Sequence, residues 1–299
     1  MTDAMPAKRI GFIGLGHMGM PMVARLVAAG HEVHGFDLSA EARERAAAVG
    51  ASVADELAGA IAEVELVILM LPDSNAVAAV TGDPAFREAI RTGTTVIDMG
   101  SSQPERTRVL AADFATRGVR LVDAPVSGGV AGAERGSLAI MVGGAPEDVD
   151  RVTPVLSVMG RVVRAGPSGA GHAVKALNNL LSATHLWVTS EAIVAGERFG
   201  LDPATMLDIF NGSSGRSGST ENKWPNFILP GTFASGFGLR LMVKDIRIAV
   251  ELAAAAGAPA HIGEEVVKAW VRAADDLPPE ADHTEVARWI AADAGPADA

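Results

Sequence analysis

Cysteine is absent from this 299-residue chain, and so is tyrosine. Without cysteine the protein can form no disulfide, use no thiolate nucleophile and build no cysteine metal site, and no other metal site is expected. A reducing compartment suits such a chain, and we expect a cytoplasmic location.

Long apolar runs and basic clusters are also missing. No apolar run reaches the roughly 18 residues needed to span a bilayer. The stretch from Met1 to Lys8 lacks the apolar core of a signal peptide. The formal charge is −11, and no basic run is present that could neutralise phosphates. We therefore expect neither a membrane nor a nucleic acid as a partner.

The first half of the chain alternates strand-like and helix-like segments. The predicted strands are Arg9–Ile13, Glu32–Phe36, Leu66–Leu71, Thr95–Met99, Arg120–Asp123 and Leu138–Val142. The predicted helices between and after them are Pro21–Ala29, Ala40–Val49 with Ser39 as N-cap, Pro104–Arg117 and Pro146–Met159. Short, almost wholly apolar strands suit a parallel sheet covered on both faces. The pattern predicts a doubly wound α/β domain that ends near Gly166.

The second half is helical. One unbroken helical pattern runs from about Ala170 to Phe199 and stops at Gly200, and Pro203 opens the next helix. Further helices are predicted at Ala204–Phe210, Leu239–Ala256, Ile262–Ala274 and Thr284–Ala292. The Gly-, Ser-, Asn- and Pro-rich segment Gly212–Gly238 is predicted to be an extended loop, and Gly295–Ala299 to be disordered. We therefore expect an α/β domain over residues 1–167 and an all-helical domain over 168–299, joined by the long helix.

Residues 10 to 19 hold the most informative motif, Ile-Gly-Phe-Ile-Gly14-Leu15-Gly16-His17-Met18-Gly19. A strand turns into a helix through three glycines. Gly14 permits the tight turn, Gly16 lets the backbone approach a pyrophosphate, and Gly19 lets the helix pack closely on the strand. The helix N-terminus adds unpaired N–H groups. The motif predicts a Rossmann dinucleotide-binding domain, and the absence of tyrosine excludes the Tyr-x-x-x-Lys pair of another group of nicotinamide enzymes.

A second strand ends at Asp37, about 20 residues further on, which is where a carboxylate can bind the ribose hydroxyls of the dinucleotide. Asp37 would also repel a 2′-phosphate, so NAD is favoured over NADP. The alternative is a solvated acid at the end of a strand.

Three further segments carry polar groups in patterns that suit a small-molecule site. The turn Ser127-Gly128-Gly129 exposes consecutive N–H groups and a hydroxyl that could cradle a carboxylate, although a plain glycine-rich loop would look the same. Lys244-Asp245 is either functional or an intrahelical pair on a solvated face. The charges between Ser213 and Pro225 could meet an acidic substrate or only water.

Lys175 and Asn179 lie four residues apart, so they share a face of the long helix that is otherwise apolar. A lysine among apolar neighbours either extends to solvent or has a chemical task. Burial lowers a lysine pKa from its ordinary value of about 10.4, which suits proton transfer near neutral pH.

Taken together, these motifs resemble the β-hydroxyacid dehydrogenases, which include 3-hydroxyisobutyrate dehydrogenase, tartronate semialdehyde reductase and relatives of 6-phosphogluconate dehydrogenase. The resemblance covers about residues 10–256, and the 3-hydroxyisobutyrate branch is the most similar. The segments that carry it are Gly14–Gly19, Asp123–Gly132, Gly169–Asn179, Ser213–Ser217 and Gly236–Asp245.

The resemblance implies a role for each of several residues. Lys175 would be the general acid/base, with Asn179 orienting the substrate hydroxyl, and Ser127, Gly128 and Gly129 would hold the substrate carboxylate. Hydride would pass from the alcohol carbon to the nicotinamide while Lys175 takes the hydroxyl proton. The remaining residues implied at the cofactor are Leu71, Pro72, Asn75, Ser101 and Lys244, with a departure from the family pattern at Asp73-Ser-Asn-Ala. His172 is expected to be a packing or cofactor-edge residue.

The sequence thus predicts an NAD-dependent dehydrogenase of a small 3-hydroxy acid. The alternatives are a reductase of another small aldehyde acid (of the tartronate or succinic semialdehyde type), an imine reductase, and a non-catalytic NAD-sensing module. Imine reductases of this architecture commonly lack the lysine, so Lys175 counts against that alternative. A homodimer or homotetramer is expected, because the long helix exposes more apolar surface than one small domain could cover.

Overall fold

The computed structural model describes residues 7–293, so the segment Gly295–Ala299, predicted to be disordered, lies outside the described residues. The chain divides into two compact units, Met1–Lys175 and Ala176–Ala299. The predicted division after residue 167 stays a prediction, because the long helix belongs to both units. No helix among residues 7–293 is both long enough and apolar enough to cross a membrane.

The first unit is built on one sheet, to which nine strands contribute within residues 7–293. They are β1 Arg9–Ile13, β2 Glu32–Phe36, β3 Ser52–Val53, β4 Leu66–Leu69, β5 Thr95–Asp98, β6 Arg120–Asp123, β7 Val126–Ser127, β8 Leu138–Gly143 and β9 Gly160–Gly166. All six predicted strands are confirmed, with ends within two residues of those expected. The sequence did not predict β3, β7 and β9. Two of these are only two residues long, and β9 has no fully buried position.

The strand order is β3-β2-β1-β4-β5-β6-β8-β7, with β9 paired to β8. Strands β1 to β6 are parallel to one another, whereas β8 runs antiparallel to β6 and β7. Alternate side chains enter two apolar clusters, as the period of a strand requires. Phe12 and Ile68 belong to one cluster, and Ile13 and Val67 belong to the other. The doubly wound domain predicted from the sequence is confirmed.

Eight helices of the described chain precede the long one. They are α1 Gly19–Ala28, α2 Ala40–Ala48, α3 Leu57–Ile61, α4 Ser74–Gly82, α5 Pro84–Ala89, α6 Pro104–Thr116, α7 Gly129–Arg135 and α8 Pro146–Ser157. Ser39 caps α2 as predicted, since its hydroxyl accepts from the Ala42 N–H at 3.2 Å. Helices α3, α4, α5 and α7 were not predicted. Each has fewer than three turns, and α7 contains two glycines, which are poor helix formers.

The second unit is helical. Helix α9 runs over the predicted span, Ala170–Phe199, and Gly200 follows it in the left-handed region at φ +93°. The later elements are α10 Pro203–Asn211, a π-helix at Ser219–Ile228, α11 Leu239–Ala255, α12 His261–Asp276, a 3₁₀ turn at His283–Glu285 and α13 Val286–Asp293. They enclose an apolar core in which the indole of Trp270 is fully buried and lies 6.1 Å from that of Trp187.

The prediction of an extended loop over Gly212–Gly238 was wrong. A ten-residue π-helix occupies its middle, and Trp224 and Ile228 from that helix are buried in the core of the second unit. The many Gly, Ser and Asn residues in this segment are typical of a loop, so the sequence did not indicate a helix with an apolar face. Pro225 also argues against a regular α-helix, because it has no N–H to donate.

Candidate active site

The predicted cofactor residues follow the carboxyl ends of neighbouring parallel strands. Gly14 follows β1, Asp37 follows β2, Leu71 comes two residues after β4, and Ser101 comes three after β5. Strand β1 lies between β2 and β4 in the sheet. Ligands of doubly wound sheets bind where the strand order reverses in this way, so these loops surround the expected position of a dinucleotide.

The glycine loop has the space that a diphosphate requires. Gly14 has φ +100°, and a Cβ on it would collide with the carbonyl oxygen of Met70. A Cβ on Gly19 would collide with the carbonyl oxygen of Gly14. The start of α1 can therefore approach the turn this closely only because residue 19 is a glycine. Apart from Gly16 itself and its two chain neighbours, no heavy atom of the described chain lies within 4 Å of the position that a Cβ on Gly16 would take. This open side, next to the N-terminus of α1, fits a phosphate-binding cradle.

Asp37 is tied into the same loop. Its Oδ2 accepts from the Leu15 N–H at 2.7 Å and its Oδ1 accepts from the Ser39 N–H at 2.9 Å. Leu15 itself is fully buried, whereas His17 is exposed and Met18 is half-buried. The carboxylate is therefore held in place rather than freely solvated, and it keeps lone pairs that could accept from ribose hydroxyls.

The residues expected beside the nicotinamide lie after β4 and β5. Leu71 is half-buried and Pro72 is exposed. Asn75 is exposed in the first turn of α4, where its Oδ1 accepts from Arg106 at 2.7 Å. The departure from the family pattern has a structural role, because Asp73 caps α4 by accepting from two backbone N–H groups at 2.8 and 2.9 Å. Ser101 is half-buried just after Gly100.

Two buried carboxylates that the sequence did not single out lie around the start of α9. Asp123, at the end of β6, is fully buried and accepts from the Gly169 N–H at 2.7 Å and the His172 N–H at 3.1 Å. Asp123 therefore fixes the first turn of α9, one turn before Lys175. The contact joins residues 46 positions apart, so no local pattern could have revealed it.

The other buried carboxylate is Asp98, whose Oδ2 accepts from Ser102 at 2.7 Å and lies 3.7 Å from His172 Nε2. His172 is buried, and its Nδ1 lies 2.8 Å from the Thr107 hydroxyl. These contacts favour the packing role expected for His172 over a catalytic one.

The Ser127-Gly128-Gly129 turn connects a strand to a helix. Ser127 ends β7, which pairs with β8, and Gly128 and Gly129 have φ values of +130° and +62° at the start of α7. The turn thus presents the hydroxyl of a half-buried serine beside N–H groups at a helix start, an arrangement suited to an anion.

Lys175 and Asn179 lie one turn apart on α9. Lys175 is only 9% exposed, so its side chain does not extend along the surface into solvent. Asn179 is also buried, and its Nδ2 donates to Asp245 Oδ2 at 2.6 Å.

Asp245, in the second unit, is a buried carboxylate whose contacts the sequence did not indicate. It is 1% exposed, and its other oxygen lies 2.9 Å from the ammonium of Lys244. The solvated-face interpretation of Lys244-Asp245 was therefore wrong. Met242, Val243 and Ile246 on the same helix are buried. The spacing of these apolar residues along the sequence could have indicated that the helix is largely enclosed.

The charges between Ser213 and Pro225 divide into two kinds. Arg216 and Glu221 form an exposed ion pair in which the Arg216 Nε lies 2.7 Å from the carboxylate. Lys223 is instead half-buried on the π-helix.

Two family descriptions cover almost the whole chain. Residues 9–166 match the NAD binding domain of 6-phosphogluconate dehydrogenase. Residues 169–290 match the NAD-binding description of NADP-dependent 3-hydroxyisobutyrate dehydrogenase.

Individual relatives agree with this match. The chain is 41% identical to 2-(hydroxymethyl)glutarate dehydrogenase of Eubacterium barkeri over 81% of each protein. It is 39% identical to 3-hydroxyisobutyrate dehydrogenase of Pseudomonas aeruginosa over 88% of this chain and 89% of the relative. The solved structure of Mycobacterium tuberculosis 3-hydroxyisobutyrate dehydrogenase with L-serine has a TM-score of 0.88 and 35% identity. That alignment covers 95% of this chain and 99% of the other.

The chain belongs to the β-hydroxyacid dehydrogenase family, in the group of 3-hydroxyisobutyrate dehydrogenase. It is an NAD(P)-dependent oxidoreductase that acts on a CH–OH group. The family resemblance inferred from the sequence is confirmed.

Proposed function

We propose that the enzyme oxidises a small 3-hydroxy carboxylic acid to its semialdehyde, with NAD as hydride acceptor and Lys175 as general acid/base. The observation that carries the proposal is a buried lysine one helical turn before a buried asparagine, which is itself bonded to the buried Asp245. Lysine burial of this kind suits proton transfer, not surface solvation.

Substrate orientation would come from two groups. The Ser127 hydroxyl and the N–H groups of Gly128 and Gly129 would hold the carboxylate, since charge-assisted hydrogen bonds are the strong ones. Asn179 would hold the hydroxyl, because its hydrogen bond to Asp245 fixes the orientation of its amide. Lys244, paired with the other oxygen of Asp245, would contribute to the cofactor side of the site.

Proton transfer would then be local to Lys175. In oxidation the neutral amine accepts the hydroxyl proton, and in reduction the ammonium returns it to the developing alkoxide. Because the neutral amine is the base, kcat for oxidation should rise with pH. General acid–base help of this kind is worth about 10²–10⁴-fold in rate.

Asp37 supports NAD over NADP as the preferred cofactor. Its carboxylate is fixed by the Leu15 and Ser39 N–H groups at the end of β2. A fixed negative charge there favours a ribose diol and disfavours a 2′-phosphate.

The substrate would be a 3-hydroxypropanoate with a substituent at C2. The substrates named for relatives, 3-hydroxyisobutyrate and 2-(hydroxymethyl)glutarate, share this core, as does the L-serine named with the solved structure. Reduction of another small aldehyde acid, of the tartronate or succinic semialdehyde type, would use the same groups in the opposite direction.

A second copy of the chain is the partner we propose for α9. Val174, Leu177, Leu181 and Val188 are exposed and recur along one face of this helix. Leu181→Glu should therefore lower the mass measured by light scattering, whereas Val109→Glu, at an exposed position on α6, should not. A monomeric wild-type protein would contradict the proposal.

The decisive test of the proposed function is Lys175→Ala. Turnover of 3-hydroxyisobutyrate, followed by NADH absorbance, should fall by about 10²–10⁴-fold while NAD affinity changes little. Lys175→Arg should not restore it, since a guanidinium stays protonated. A Lys175→Ala enzyme that keeps a tenth of the wild-type kcat would remove Lys175 from the mechanism.

A further inference from the structure

A cleft with a volume of about 340 Å³ lies within the second unit, between α9, α12 and α13. Small-molecule sites in proteins have volumes from about 300 to 1,000 Å³. None of the lining residues belongs to the groups proposed to hold substrate or cofactor. Trp187 of the cleft lies about 12 Å of helix rise beyond Asn179 on α9. The cleft is therefore a second place in this unit that could hold a small molecule.

Two indole rings form part of the wall of this cleft. Trp187 of α9 and Trp289 of α13 have ring centroids 5.8 Å apart and planes inclined at 53°. Both side chains are half-buried, so part of each remains accessible to a ligand. Aromatic rings grouped in this way bind alkylammonium ions, and tryptophan attracts a cation more strongly than the other aromatic residues do. The wall therefore suits a cation that carries apolar groups.

Carboxylates hold both indoles by their N–H groups. Trp187 Nε1 donates to Glu191 Oε1 at 2.7 Å. Trp289 Nε1 donates to Asp276 Oδ2 at 3.0 Å. Because these bonds restrain the rings, little side-chain entropy is lost when a ligand contacts them. A charged acceptor also polarises the indole that donates to it, which strengthens the attraction of the ring for a cation.

The charged side chains around the cleft are mainly acidic. Its lining includes one cation, Arg272, and the carboxylates of Glu191, Glu265 and Asp293. Glu265 is paired with Lys268 at 2.8 Å, which leaves two carboxylates against one guanidinium. In the described part of the chain, no lysine or arginine stacks on either indole of the cleft. The two rings therefore lie in a negative environment, and no cation of the described chain is placed on them.

The rest of the wall distinguishes an organic cation from a metal ion. It is formed by the aliphatic side chains of Ile262, Val266, Ala269 and Ile290. Such a surface packs against alkyl groups and offers no ligand to a hydrated metal ion. Within residues 7–293, no group of three or more His, Asp or Glu side chains is arranged to hold a metal. The lining therefore favours an alkylated ammonium group.

We propose that this cleft of the second unit binds a small alkylammonium compound. The alkyl groups of the ligand contact the indoles of Trp187 and Trp289. Glu191 and Asp293 balance its charge. The inference adds a binding site to the enzyme and does not depend on which hydroxy acid is oxidised. A cation held against an indole gains roughly 5- to 30-fold in Kd over a neutral group of the same shape.

The experiment compares choline with 3,3-dimethylbutan-1-ol, which has carbon in place of the charged nitrogen. Isothermal titration calorimetry should show that wild-type protein binds choline more tightly, by roughly 5- to 30-fold in Kd. Trp289→Leu should bring this ratio close to one, and Trp289→Phe should keep part of it, because a ring remains. Glu191→Gln keeps an acceptor for the Trp187 N–H and should weaken choline binding by about 2- to 5-fold without affecting the alcohol. Glu264→Gln is the matched control, because Glu264 is an exposed carboxylate of α12 that does not line the cleft.

Three results would overturn the inference. The first is equal affinity for choline and the neutral alcohol, which would make the cleft merely apolar. The second is no choline binding in the millimolar range, as expected if a second copy of the chain covers the cleft. The third is a preference for choline that stays unchanged in Trp289→Leu and Glu191→Gln, because choline would then bind elsewhere. Far-UV circular dichroism shows whether Trp289→Leu folds, and if it does not, the wild-type ratio and Glu191→Gln decide.

Discussion

Replacing Asp123 with asparagine tests how the start of α9 is held. The carboxylate accepts two backbone N–H groups, from Gly169 at 2.7 Å and from His172 at 3.1 Å, and no part of it reaches solvent. Asparagine has nearly the same shape but only one acceptor oxygen. Its amide NH₂ group would face an N–H donor where the second oxygen now lies.

The expected magnitude follows from these two bonds. A hydrogen bond to a charged group contributes about 1.5–3 kcal/mol, and an unsatisfied buried donor adds a desolvation cost of similar size. Losing one bond and weakening the other should reduce the free energy of unfolding of the first unit by about 2–4 kcal/mol. Because Lys175 lies one turn further along α9, a shifted first turn should also lower kcat, by up to about 10²-fold.

Urea unfolding followed by far-UV circular dichroism measures the stability change, and NAD-dependent turnover measures the catalytic one. Asp113→Asn is the control, since Asp113 forms a half-exposed ion pair with Arg87 at 3.1 Å. Such pairs contribute about 0–1 kcal/mol. If Asp123→Asn destabilises the protein no more than Asp113→Asn does, the idea that this carboxylate holds the helix start is wrong.

Three further predictions concern the cofactor, the substrate and pH. Asp37→Ser combined with Leu38→Arg should raise the ratio of kcat/KM for NADP to that for NAD, because a cation replaces an anion beside the 2′ position. Ser127→Ala should chiefly raise KM for the hydroxy acid, by roughly 10- to 100-fold, because a bond to the carboxylate is lost. Burial lowers the pKa of His283, so the unfolded chain takes up the proton more readily than the folded one. Stability should be full above the ordinary histidine pKa of about 6.5 and should fall as pH drops below it.

Each of these three predictions has a result that would contradict it. A wild-type preference for NADP would contradict the role given to Asp37. Equal turnover of a hydroxy acid and its methyl ester would contradict the carboxylate cradle. His283→Gln should flatten the urea midpoint between pH 8 and pH 5, whereas His185→Gln, at an exposed position, should leave the wild-type slope. An unchanged slope in His283→Gln would mean that another group governs the acid sensitivity.

The strands were predictable because burial on both faces leaves an almost unbroken apolar run. Leu66–Leu69 is buried at every position and was found from its composition alone. The π-helix was not predictable, because its apolar residues are separated by serine, asparagine and proline. Only the folding of the second unit brings Trp224 and Ile228 into its core.

The motifs of the candidate site that are local in sequence could also be predicted. The glycine loop and the Lys175–Asn179 pair each lie within a few residues of sequence, so spacing alone indicates their geometry. Asp123 and Asp245 act on groups 46 and 66 residues away, and only the fold reveals those contacts. Their roles could not have been inferred without it.

All four tryptophans of the chain, Trp187, Trp224, Trp270 and Trp289, lie in the second unit, and the chain has no tyrosine. Intrinsic fluorescence therefore comes from the helical unit alone, while the nucleotide-binding unit is optically silent apart from its phenylalanines. Far-UV circular dichroism reports on both. Comparing fluorescence with circular dichroism in one urea series distinguishes the unfolding of the two units without any attached dye. In Asp123→Asn, the midpoint of the circular dichroism transition should shift to a lower urea concentration by more than the midpoint of the fluorescence transition.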